Sequence, residues 1–212
     1  MGNQLKLFYM AKVYPQTLSS STPVCSKQQI FTLLMKSLIL GSNGCTVFDS
    51  DGCIVYRVDN YHTRCSKQVH IMDAKGKVLF TIVAKKLSVL GLWEGYRPAN
   101  TGKKKKKPEF RVTKVLNIRK VLGFLGGASS FKVVVGLDKN QPREYVMEAQ
   151  ICKSSCKIVD NSGKLVAEVK RKITNSGVVL GEDVLTMVVE PYADRCLIMG
   201  LVVVFGLILR KM

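Results

Sequence analysis

The chain writes nearly the same phrase three times. Asp49-Ser-Asp-Gly52 precedes Cys-Ile-Val-Tyr-Arg-Val58, Asp73-Ala-Lys-Gly76 precedes Lys-Val-Leu-Phe-Thr-Ile82, and Asp160-Asn-Ser-Gly163 precedes Lys-Leu-Val-Ala-Glu-Val169. An Asp carboxylate can fold back onto the local backbone and Gly accepts positive φ, so an Asp-x-x-Gly block between two β-branched runs reads as a hairpin turn. Repeated hairpins imply an antiparallel sheet and exclude one built from βαβ crossovers. Sheets of this kind more often bind or scaffold than catalyse.

Strands are expected at residues 30–38, 46–48, 54–58, 67–72, 78–84 and 90–96, then at 110–114, 131–137, 144–149, 156–159, 165–169 and 184–189. Tyr145, Met147 and Ala149 would share one face of their strand, and Glu144, Val146 and Glu148 the other, as in a wall with a core on one side. A sheet of about twelve strands tends to curl or close, which removes its edges. The fold class is therefore all-β, and 212 residues suffice for one large β domain.

The C-terminus departs from this pattern. Cys196 to Leu209 is apolar without interruption, between Asp194-Arg195 and Arg210-Lys211. As a helix it spans about 21 Å, short of the roughly 30 Å hydrocarbon core of a bilayer. A helix apolar on every side needs a sheath on every side, and a closed β wall supplies one. The expectation is a barrel around a central helix at about 193–210, with no integral membrane span. The alternative, a tail anchor, would require Arg195 and Arg210 to snorkel.

Charge points to the partner. With 33 Lys+Arg against 15 Asp+Glu the formal charge is +18, which suits an anionic ligand: a phosphoinositide headgroup, an acidic membrane surface or nucleic acid. Lys103, Lys104, Lys105, Lys106 and Lys107 form an unbroken run inside the Gly- and Pro-bounded segment 98–108. Such a run cannot pack and reads as a solvated loop tip, the candidate lipid- or anion-binding element, an import signal, or an idle insertion.

Other chemistry finds little support. Cys25, Cys45, Cys53, Cys65, Cys152, Cys156 and Cys196 are odd in number and lack CxxC spacing, so reduced intracellular thiols are expected, although Cys152 and Cys156 could meet across a hairpin. No metal or cofactor is expected. His62 and Cys65 lie three apart without an orienting carboxylate, and Asp49 and Asp51 lack the further oxygen ligands of a calcium loop. Gly123, Gly126 and Gly127 read as relief of a bend. Residues 1–28, with Pro15, Pro23 and a Ser-Ser-Ser-Thr run, form an expected flexible leader to a barrel domain at 29–212. Gly2 opens half of a myristoylation signal, but Lys6 stands where Ser or Thr is wanted.

Several spaced blocks carry a resemblance. Thr46-Val-Phe-Asp-Ser-Asp-Gly52, Val55-Tyr-Arg-Val-Asp-Asn-Tyr61, Val78-Leu-Phe-Thr-Ile82, Gly91-Leu-Trp-Glu-Gly-Tyr-Arg97 and the apolar terminus together resemble the plant LURP-one-related proteins. That resemblance implies a tubby-like fold, a twelve-stranded closed antiparallel barrel around a hydrophobic C-terminal helix, related to phospholipid scramblases. It implies a non-enzymatic, plant defence-associated protein that binds membrane lipid as a tether or adaptor. The alternatives are a nuclear or membrane-tethered transcription regulator working with nucleic acid or a transcription complex, and a scramblase-like lipid transporter. The implied location is cytoplasmic, peripheral at a membrane, or nuclear.

Overall fold

The computed structural model describes residues 25–36, 43–63, 66–85, 91–98, 107–115, 128–137 and 141–209. Its strands are β1 (Gln29–Leu34), β2 (Asn43–Phe48), β3 (Ile54–Thr63), β4 (Ser66–Asp73), β5 (Val78–Lys85) and β6 (Leu92–Tyr96), followed by β7 (Phe110–Val115), β8 (Ala128–Val135), β9 (Arg143–Gln150), β10 (Ser155–Asp160), β11 (Leu165–Arg171) and β12 (Val184–Val189). Each pairs with its sequence neighbours, and β1 pairs antiparallel with β12, Phe31 opposite Met187 and Leu33 opposite Leu185, to close the barrel. One α-helix, α1 (Arg195–Ile208), follows β12.

Closure follows from the alternation of side chains. Phe31 and Leu33, Val69 and Ile71, Phe80 and Ile82, Val133 and Val135, and Leu185, Met187 and Val189 all point inward and are buried. Eleven consecutive residues of α1, Cys196 to Gly206, are buried as well. A helix with no polar face is stable in water only if every face is covered, and the wall covers it. Asp194 caps the helix, its Oδ1 accepting from the Cys196 and Leu197 backbone N–H groups at 3.0 and 3.1 Å. Among the described residues no helix is long and apolar enough to cross a membrane.

Wall and helix interlock at Phe110. A Cβ built on Gly95 of β6 would lie 2.1 Å from Phe110 Cε1, and one built on Gly200 of α1 would lie 3.0 Å from the same atom. The ring therefore lies beside two positions that lack a side chain, one on the wall and one on the helix, and Phe80 packs against it at 5.6 Å between centroids. The missing side chain at Gly200 lets the helix approach the ring closely, while Gly95 had no sequence signal of its own.

The hairpin turns use the expected mechanism. Asp49, Asp73 and Asp160 each accept two backbone N–H bonds through Oδ1 at 2.8–3.0 Å, from residues two and four ahead. Gly52, Gly76 and Gly163 sit at φ +78°, +81° and +80°. Asp49 is committed to its own turn, which accounts for it without a calcium loop. A fourth copy of the turn carries Thr in place of Asp. In Thr174-Asn-Ser-Gly177 the Thr174 hydroxyl accepts from Val178 N at 3.1 Å, and Gly177 has φ +82°.

Two expectations need correction. The first strand ends at Leu34 and not at residue 38: Met35 N still donates to Asp183 O at 2.7 Å, in register with the β1–β12 pairing, but the chain bends at Met35 and Lys36. Cys152 and Cys156 do not meet. Cys152 is exposed on a single 3-10 turn, while Cys156 faces the core from β10 opposite Ala149, and both are free thiols. The expected leader at residues 1–24, the Gly123, Gly126 and Gly127 bend, and Cys65 lie outside the described residues.

Candidate functional site

In a barrel of consecutive hairpins the turns alternate between two rims. The Asp49, Asp73 and Asp160 turns, the β6–β7 loop, the β8–β9 loop and the β12–α1 connection share the rim where the helix enters. The β9–β10 turn and the β11–β12 hairpin lie on the opposite rim, where the helix ends.

The lysine run belongs to the β6–β7 loop and so to the entry rim. Lys107 is exposed at the foot of that loop, and Lys103, Lys104, Lys105 and Lys106 lie outside the described residues. The feet are fixed. Glu109 N donates to Gly95 O at 2.8 Å and Glu109 O accepts from Gly136 N at 2.8 Å. Arg97 donates through Nη2 to the helix cap Asp194 at 3.0 Å and lies over the Phe80 ring at 4.6 Å. The loop is thus tied at one end to the group that caps the central helix.

Beside it lies a cleft of ≈ 550 Å³ between the β8–β9 loop, the Asp160 turn and the β12–α1 connection. Arg143, Lys164, Glu144, Asp160 and Glu190 all line it, a mixture of signs that does not select anions. Tyr192 stands at its lip, 72% exposed and at φ +65°. Its backbone N–H donates to Cys25 O at 2.8 Å, which helps hold that conformation.

A buried carboxylate, Glu94, gathers partners on the outer wall. Glu94 accepts from Tyr96 Oη at 2.6 Å and from Arg111 Nε and Nη2 at 3.1 and 2.9 Å, with Lys85 Nζ 3.2 Å away. Burial alone would raise its pKa, but the bonds from Tyr96, Arg111 and Lys85 outweigh burial and hold it below the usual carboxylate range. Four groups on three adjacent strands satisfy one another, which marks a cross-strand clasp and not an acid catalyst. Glu94→Gln is expected to cost about 1–3 kcal/mol at neutral pH. Because the folded pKa is depressed, that contribution is present above the unfolded value and lost as pH falls through the lower folded one. Urea unfolding of both proteins at neutral and acid pH checks this: the gap between them should narrow toward acid.

Nucleophilic chemistry has little footing among the described residues. Burial pushes the Cys45 and Cys156 thiols up to about 12 and Cys196 to about 11, so all three stay protonated at neutral pH. His70 Nδ1 shares a hydrogen bond with Thr81 Oγ1 across β4 and β5 at 3.1 Å. The imidazole of His62 lies outside the described side chains. Among the described residues no three His, Cys, Asp or Glu side chains are grouped to hold a metal.

Comparison with known proteins agrees with this architecture. A family model described as LURP-one-related matches residues 29–206. Protein LURP-one-related 11 of Arabidopsis thaliana is 42% identical over 208 residues, covering 94% of this chain and 89% of the relative. Proteins LURP-one-related 2 and 3 of the same plant are each 44% identical over 187 residues, covering 86% of this chain and 80% of the relative. An X-ray structure of another Arabidopsis thaliana protein superposes with a TM-score of 0.59 at 15% identity, over 87% of this chain and 94% of that one. This last likeness concerns the fold alone.

Proposed function

This chain belongs to the LURP-one-related family, and from that premise we propose that it is a non-enzymatic tether or adaptor that binds anionic membrane lipid. The observation that carries the reading is the mounting of the lysine run: five consecutive cations on a loop whose feet are fixed to the barrel rim and to the helix cap. Near an anionic bilayer such a run gains about 1 kcal/mol per lysine before screening, enough to contribute to adhesion but not to anchor alone. A role in plant defence belongs to the same proposal and rests on the family resemblance. The enclosure of α1 by the wall argues against a scramblase-like use of that helix in the bilayer.

Replacing Lys103 through Lys107 with Ser should leave thermal stability unchanged, because a run of five like charges bounded by Gly and Pro is not expected to pack into the fold and a solvated lysine contributes almost nothing to the folded state. Binding to phosphoinositide-containing liposomes should weaken by roughly tenfold or more at low salt, and by less as the Debye length shrinks from about 30 Å at 0.01 M to about 10 Å at 0.1 M. Equal binding by both proteins across the salt series would remove the loop from the function. A duplex-DNA shift lost with the same five lysines, without liposome binding, would favour the nucleic-acid regulator instead.

A further inference from the structure

The rim opposite the lysine loop is chemically distinctive. Of the eight large apolar residues exposed among the described ones, Val115, Ile151, Ile173, Val178 and Val179 all lie there. They follow one another around half of the rim, because β7 to β12 are consecutive neighbours in the wall. α1 ends at the same rim, with Leu207, Ile208 and Leu209 only half-buried.

These residues are presented on built structure. Ile173, Val178 and Val179 flank the Thr174–Gly177 turn, where Thr174 N donates to Val178 O at 2.9 Å and Gly177 N to Thr174 O at 2.9 Å, and Ile173 pairs with Val179 in a β-bridge. Ile151 opens a 3-10 turn closed by Ser154 N on Ile151 O at 3.2 Å, with Ser154 at φ +49°. A lysine stands beside three of the tips: Lys114 next to Val115, Lys153 two residues past Ile151, and Lys172 next to Ile173. Lys114 and Lys153 are exposed, Lys172 reaches Thr32 Oγ1 at 2.6 Å, and of the nearby acids Asp183 is paired with Lys36 at 2.6 Å.

We propose that this rim is a second docking face, which inserts its β-branched tips into the headgroup region of an anionic phospholipid bilayer while the neighbouring lysines meet the lipid charge. The inference rests on the reading of the protein as a ligand of anionic membrane, and adds where and how a bilayer is met. Charge complementarity favours anionic lipid, and the apolar tips favour a bilayer over nucleic acid, whose backbone offers them nothing to enter. The ends of β6 and β7 that flank the lysine run lie at the other rim, which leaves that rim for a second anionic surface.

Each rim carries an exposed cysteine, Cys152 beside Ile151 and Cys53 in the Asp49 turn, while Cys45, Cys156 and Cys196 are shielded by burial. In the full chain with Cys25→Ser and Cys65→Ser, an environment-sensitive fluorophore is placed at Cys152 with Cys53→Ser, or at Cys53 with Cys152→Ser. Phosphatidylserine-containing vesicles are then added. The Cys152 probe should shift to the blue, and Val178→Asp with Val179→Asp, exposed changes compatible with folding, should weaken vesicle binding by roughly tenfold, with part of the wild-type binding surviving high salt. A Cys152 probe that stays in water while the protein sediments with vesicles and the Cys53 probe shifts would overturn this inference and leave the membrane reading standing. No sedimentation with vesicles would overturn both, and a fall in DNA binding with no vesicle binding in the Val178 and Val179 variant would assign the rim to nucleic acid and overturn it too.

Discussion

Deleting residues 196–212 is expected to give insoluble protein, by far the largest effect of any change considered for this chain. The segment carries Leu197, Ile198, Met199, Leu201, Val202, Val203, Val204 and Phe205, all buried inside the wall. At about 1.5–3 kcal/mol for each large apolar side chain, their burial contributes on the order of 10–20 kcal/mol, as much as the net stability of an entire domain. The inward faces of all twelve strands would also lose their partner and meet water. Expression of the truncated chain followed by sedimentation checks this. A soluble truncation with the wild-type melting temperature would mean that the helix is a passenger and that the wall closes without it.

Filling either glycine beside Phe110 should rank second. At Gly95 an added methyl would lie 2.1 Å from the Phe110 ring, inside any tolerable contact, and the ring is fully buried between wall and helix. Overpacking of a filled core costs typically about 1–3 kcal/mol and occasionally more, and Gly95→Ala belongs at or above the top of that range because the obstructing atoms are ring carbons. Gly200→Ala meets the same ring at 3.0 Å and asks only for a shift of a few tenths of an ångström, whereas Gly200→Leu cannot be housed. The expected order of melting temperature is wild type, Gly200→Ala, then Gly95→Ala and Gly200→Leu well below. If the small Phe110→Leu change rescues Gly95→Ala, the clash is located at that ring. A Gly95→Ala protein as stable as wild type would refute the interlock.

What was legible in the sequence was local. Asp49, Asp73 and Asp160 announce their turns because the carboxylate, the glycine and the strand that follows lie within a few residues, and these turns set the twelve-strand meander. The helix was legible because Cys196 to Leu209 has no polar side that could face water. The same logic missed the Thr174 turn, where a hydroxyl does the work of a carboxylate and the Asn-Ser-Gly that follows, shared with the Asp160 turn, was the available clue. It missed the Glu94 clasp and the Gly95–Phe110–Gly200 contact because their members come from different strands or from wall and helix, so no spacing connects them. The gathering of Val115, Ile151, Ile173, Val178 and Val179 on one rim likewise exists only after the hairpins have been assigned to their ends. The lysine run was visible at once as charge, yet only the topology puts it on the rim where the helix enters.

Sedimentation of the wild-type protein with phosphatidylserine- or phosphoinositide-containing vesicles, beside neutral phosphatidylcholine vesicles of the same size and over a graded salt series, tests the membrane reading most directly. The reading requires binding to the anionic vesicles, little to the neutral ones, and a steep loss between low and moderate salt as exposed lysines are screened. Equal binding to anionic and neutral vesicles, or none to either at low salt, would contradict it.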